Sequence, residues 1–123
     1  MTLPFSDGVT GSASRISPRH VFEAKIRIRL ERDGTQISLP AWARNLSETG
    51  LGGFVAEALM LGELVTLEIP LADSAKQAIP ARVVRVLGTE VGFQFTALSA
   101  DQRRRVQTTL KGCAAIPYYG ARP

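Results

Sequence analysis

Asn45-Leu46-Ser47-Glu48-Thr49-Gly50 is the stretch of this chain whose residue types and spacing best suit ligand chemistry. Asn45 and Ser47 are two apart, so on extended backbone their side chains point the same way. Gly50 ends the turn; lacking a Cβ, it accepts positive φ and lets another group approach the backbone closely. The result is a small polar concavity. Arg15 and Arg19 sit about one hairpin upstream and can close over it. A guanidinium is a planar fork that pairs bidentately with phosphate oxygens or with a guanine edge, and it stacks on bases. Amide, hydroxyl, glycine and paired guanidinium groups together suit a planar ligand that carries phosphate.

Other chemistries lack their residues. The chain has one His and one Cys, so a His/Cys metal cluster has no ligands to draw on. No Ser sits in a Gly-x-Ser-x-Gly elbow, and His20 is the only imidazole for a triad. There is no Gly-x-x-x-x-Gly-Lys phosphate loop. No catalysis is expected. His20 reads as an exposed polar neighbour of Arg19, and Cys113 as a small apolar residue at a helix end. Arg103-Arg104-Arg105 reads as a solvated helix face, with contact to an acidic partner as its functional alternative.

The net charge of +4 is unevenly spread. Between residues 15 and 32, Arg15, Arg19, Lys25, Arg27, Arg29 and Arg32 face only Glu23 and Glu31. From Asn45 to Asp73 there is no Lys or Arg. A basic N-terminal part points to an anionic partner. Single-stranded nucleic acid is disfavoured, because such surfaces interleave aromatics with basic residues and Lys25 to Arg29 has none; no DNA or RNA partner is expected. No apolar run approaches the ~18 residues of a membrane span, and residues 1–14 lack the charged and apolar regions of a signal peptide. Cys113 has no partner for an internal disulfide. A cytoplasmic chain without membrane insertion or bound cofactor is expected.

The elements that must position the turn follow from alternation. Ala24, Ile26, Ile28 and Leu30 alternate with Lys25, Arg27, Arg29 and Glu31, the pattern of a half-buried strand. Asp33-Gly34 is a hairpin turn. Ile37, Leu39, Ala41 and Ala43 form the return strand, which Pro40 places at an edge or a bulge. Further strands are read at Leu51 to Ala56, from Gly62 to Ile69, at Ala78 to Leu87 and at Val91 to Thr96, with a polar loop at 71–77 and a tight turn at Gly88-Thr89-Glu90. Ser99 and Gln102 form a capping box for a helix over roughly 99–111, with Val106 and Leu110 as its apolar stripe and Gly112 as its stop. This predicts an all-β-dominated fold, a six-stranded antiparallel barrel with one C-terminal α-helix that covers an opening or an edge. One domain is expected at 15–112, between a flexible tail at 1–14 and a second tail at 113–123 that packs or dangles.

Taken together these residues resemble the PilZ domain family, bacterial receptors for cyclic di-GMP, over roughly residues 15–111. The family pattern is an Arg-x-x-x-Arg segment before the first strand and an Asp/Asn-x-Ser-x-x-Gly turn after the second. Asn45 to Gly50 fits the turn fully, and Val91-Gly92-Phe93-Gln94-Phe95 running into Leu98 and an Arg-rich helix is also similar. Arg15-Ile16-Ser17-Pro18-Arg19 is a literal Arg-x-x-x-Arg, whereas the usual spacing selects Arg19-His20-Val21-Phe22-Glu23, with a carboxylate at the second arginine position. The resemblance implies a cyclic di-GMP receptor that contacts its ligand through Arg15, Arg19, Asn45, Ser47 and Gly50, and that relays the signal to a protein partner as its arginine segment becomes ordered. In the second register Glu23 repels phosphate, and the implied alternative is an adapter that binds protein and no nucleotide.

Overall fold

The computed structural model describes residues 17–72 and 76–116. Six strands are followed by one helix: β1 (His20–Arg32), β2 (Thr35–Leu46), β3 (Gly50–Phe54), β4 (Leu64–Pro70), β5 (Lys76–Leu87), β6 (Glu90–Phe95) and α1 (Ala100–Lys111). All strand pairs are antiparallel, and the sheet closes in the order β1-β2-β3-β6-β5-β4. Closure is the physical solution to short amphipathic strands, since it leaves each strand a neighbour on both sides over part of its length.

The inward residues of β1 are ones that alternation selected. Ile26, Ile28 and Leu30 of β1, Val65, Leu67 and Ile69 of β4, and Ile79, Ala81 and Val83 of β5 are buried in one cluster. Val106 and Leu110 of α1 join it. Ser99 caps α1 with its hydroxyl on Gln102 N–H, and the Gln102 side chain accepts from Ser99 N–H. Gln102 Nε2 also donates to the Ala78 carbonyl, and Ala72 N–H donates to Thr109 Oγ1, which ties the helix to the barrel at both ends.

The Asp33-Gly34 turn takes the left-handed backbone that a tight hairpin needs, with φ of 51° and 76°. Pro40 sits in the half of β2 that has β1 as its only strand neighbour among the described residues, because β3 begins pairing at Trp42. It is an edge position, and the bulges lie elsewhere.

Several boundaries differ from the sequence expectation. β1 starts at His20, ahead of Ala24, because a bulge between Val21 and Ala24 breaks the alternation there. Leu71 belongs to the core rather than to a polar loop, and β5 already begins at Lys76. The start of the second tail is paired: Val21 N–H donates to the Ala114 carbonyl, Ile116 N–H donates to the Arg19 carbonyl, and His20 bridges to Ala115. His20 is half-buried, with its Nδ1 shielded and without a hydrogen-bond partner, rather than an exposed polar residue. The expected first tail, Arg15 and residues 117–123 lie outside the described residues.

Candidate functional site

The Asn-x-Ser-x-x-Gly turn connects β2 to β3. Ser47 N–H donates to the Gly50 carbonyl at 2.9 Å, and Ser47 Oγ accepts from Thr49 N–H at 3.2 Å and Gly50 N–H at 3.1 Å. Ser47 is buried, and its hydroxyl holds the turn closed. A buried hydroxyl that satisfies two backbone donors is a positioning group first. Gly50 is required for a different reason than its φ, which is not in the left-handed region: a Cβ there would run into the Phe93 carbonyl oxygen of β6.

Asn45 lies on a register row that crosses four strands. It pairs with Gly52 of β3, Gly52 pairs with Gly92 of β6, and Gly92 pairs with Arg85 of β5. The two glycines form a floor without side chains between Asn45 and Arg85. A Cβ on Gly52 would lie 2.9 Å from Asn45 Oδ1, and one on Gly92 would lie 3.3 Å from Arg85 Cβ. The flanking side chains therefore rest over the floor from both sides.

Two bulges create this row. The β2–β3 register shifts between Ala43 and Asn45, and the β5–β6 register shifts between Val83 and Arg85. Along β2 the buried parity runs through Leu39 and Ala43 and then moves to Leu46; along β5 it runs through Ile79, Ala81 and Val83 and then stops. Each bulge turns the next polar side chain outward over the glycines, the usual effect of an extra residue in one strand.

Along the row is a cleft of about 520 Å³, lined by Ser17, Arg19, Asn45, Ser47, Gly50, Arg85 and Gly92 among others; Gly52 is buried and lines instead a smaller neighbouring cavity of about 150 Å³ with Asn45 and Arg85. Exposed Val84, the extra residue of the β5 bulge, forms part of its apolar wall. The structure thus brings together Arg19, Asn45, Ser47 and Gly50. Arg15 lies outside the described residues. Arg85 was not singled out from sequence; the only signal was the break in alternation at Arg82-Val83-Val84-Arg85. Glu23 is not among the lining residues. Its carboxylate lies 3.6 Å from Arg44 Nε, and the Arg44 guanidinium sits 5.0 Å from the centre of the Phe54 ring. Among the described residues no cluster of His, Cys, Asp or Glu could hold a metal ion, and no helix is long and apolar enough to cross a membrane.

The structure is thus a small closed barrel with a polar cleft on its flank. A family model of the PilZ domain matches residues 13–112, and the chain belongs to that family. PilZ domains are regulatory receptor domains rather than enzymes. The chain is similar in structure to the PilZ domain of CeSA from a cellulose-synthesizing bacterium, at 21% identity and a TM-score of 0.61 over 78% of this chain and 97% of that one. It is similar to the PilZ domain of Escherichia coli YcgR with c-di-GMP, at 14% identity and a TM-score of 0.65 over 81% of this chain and 91% of that one. The Bacillus subtilis inhibitor of motility MotI/DgrA matches at 18% identity and a TM-score of 0.60, over 78% of this chain and 49% of that one. At these identities the likeness is one of fold. Comparison with the curated proteins found no match.

Proposed function

We propose that this chain is a cyclic di-GMP receptor and adapter, which takes the nucleotide in the cleft between Arg19 and Arg85 and passes the signal to a protein partner. The observation that carries this reading is that Asn45, Gly92 and Arg85, three residues of the register row, line one cleft with the turn and Arg19. A purine face can lie on Gly92 where it cannot lie on a side chain. Asn45 offers an amide to a base edge, and the guanidinium groups of Arg19 and Arg85 offer forks to phosphate or guanine from two sides. Ser47 and Gly50 set the shape of the turn. The solved YcgR PilZ domain, similar in fold, contains c-di-GMP.

Arg15 is assigned to the same site by its place in Arg15-Ile16-Ser17-Pro18-Arg19, since Ser17 already reaches the cleft. The relay would run through this segment. Arg19 and Val21 exchange backbone hydrogen bonds with Ala114 and Ile116, so ordering the arginines on a ligand acts on the chain that follows α1.

The alternative, an adapter that binds no nucleotide, is favoured by one observation: Glu23 stands at the family's second arginine position and pairs with Arg44. Calorimetric titration with cyclic di-GMP distinguishes the two. Saturable binding that weakens at least about tenfold in both Arg19→Ala and Arg85→Ala supports the receptor. An absence of binding heat and of any ligand-induced stabilisation selects the adapter.

A further inference from the structure

A second surface, separate from the nucleotide cleft, surrounds Trp42. This residue is 41% exposed on the outer face of β2. It pairs across the sheet with Lys25 of β1 on one side and Phe54 of β3 on the other, and Arg27 pairs with Pro40 one step along the same face. Together with Lys76 these residues line a groove of about 420 Å³ whose base is apolar. Among the described residues no carboxylate lines it.

The charges around it are distributed unevenly. Arg29 pairs with Glu68 at 3.0 Å, Arg32 with Glu63 at 2.9 Å, and Arg44 with Glu23 at 3.6 Å. Among the described residues Lys25, Arg27 and Lys76 have no acidic partner; Arg27 only donates to Ser38 Oγ. The basic side chains flanking the groove are ion-paired; the ones rimming it make no ion pair among the described residues, with Glu68 opposite Arg27 in the β1–β4 register but turned to Arg29. An exposed aromatic in an apolar groove under such a basic rim is the anatomy of a docking site.

We infer that this face docks an acidic segment of a partner protein, with an apolar side chain of that segment seated against Trp42 and Phe54 and its carboxylates on Lys25, Arg27 and Lys76. Charge complementarity selects the occupant. Single-stranded nucleic acid fits less well, because its bases need successive stacking platforms, and among the described residues the groove offers one exposed aromatic ring, Trp42. The described residues after α1 lie elsewhere: Ala114 is beside Val21 and Ile116 beside Arg19. This docking does not depend on nucleotide binding.

Trp42 is the only tryptophan of the chain, so its fluorescence reports on the groove alone. The full chain is titrated with a synthetic peptide of alternating Glu and Leu, and with the same peptide carrying Gln for Glu. The expected result is a saturable blue shift with the Glu peptide, at least about tenfold weaker with the Gln peptide and with Lys25→Glu/Arg27→Glu. Calorimetry on Trp42→Ala, with circular dichroism to check the fold, is expected to show weakened binding; the substitutions are on the surface and leave the core intact. The proposal is overturned if the peptide causes no shift, or if the Gln peptide or the charge-reversed variant binds equally well. It is also overturned if a single-stranded oligonucleotide binds more tightly than the Glu peptide. A shift with protein concentration alone, with dimers in sedimentation, would assign the face to a second copy instead.

Discussion

Asn45 and Arg85 face each other across Gly52 and Gly92, although they are forty positions apart in sequence and on strands that do not touch. The closed order β2-β3-β6-β5 puts them on one row, and a bulge ahead of each turns it outward. This relationship makes the cleft a shaped site rather than a polar turn.

The floor is testable apart from the groups that flank it. Gly52→Ala places a methyl 2.9 Å from Asn45 Oδ1, at the end of a side chain that can swing away. The protein is expected to remain folded while cyclic di-GMP affinity falls by about tenfold or more, since the Asn45 amide that lines the cleft is displaced. Calorimetry together with thermal unfolding reads the two effects separately. A Gly52→Ala variant with normal affinity would remove the Asn45 amide from the ligand contacts.

Ser47→Ala is expected to lower stability by about 1–3 kcal/mol, because two backbone donors inside the turn lose their acceptor. Gly50→Ala is expected to cost a similar amount, about 1–3 kcal/mol, because the new Cβ meets the Phe93 carbonyl and backbone must move. Urea unfolding measures both. If Ser47→Ala left stability unchanged and abolished binding, the hydroxyl would be a ligand contact rather than a turn fastener.

Glu23→Arg distinguishes the two arginine registers. Glu23 pairs with Arg44 and does not line the cleft, so the substitution is expected to leave affinity within about twofold while Arg19→Ala reduces it at least about tenfold. Arg15→Ala is expected to weaken binding as well. A tenfold gain in affinity from Glu23→Arg would show that the segment shifts register on the ligand.

The Arg32–Glu63 pair ties the β1–β2 hairpin to the start of β4, with two contacts at 2.9 and 3.0 Å and a further Arg32 bond to the Ala58 carbonyl. The Arg32 hydrogen bond, and then the Met60 N–H, hold the Glu63 carboxyl below the usual carboxylate range. A depressed folded value gives stability that is present above the unfolded value and is lost as pH falls through the folded one. Glu63→Gln is therefore expected to melt below the parent at neutral pH. The gap should close as pH drops below about 4. A gap that is constant across this range would mean that the pair contributes no charge-dependent stability.

Much of the barrel was legible because its local rules agree. Asp33-Gly34 announced a hairpin, the Ile26-Ile28-Leu30 parity announced an inward face, and Ser99 with Gln102 announced the helix start. Legibility failed where a bulge interrupts the period. The shift at Val21/Ala24 hid the first residues of β1, and the shift at Val83/Arg85 hid Arg85. Arg85 also reaches the cleft through long-range pairing, which no local pattern encodes. The pairing of Ala114 and Ile116 with the start of β1 was invisible for the same reason.

Titration of the full chain with cyclic di-GMP, followed calorimetrically in the parent and in Arg19→Ala and Arg85→Ala, tests the receptor reading most directly. The account predicts saturable binding in the parent that is weakened at least about tenfold in each variant. No binding by the parent, or equal binding by all three proteins, would contradict it.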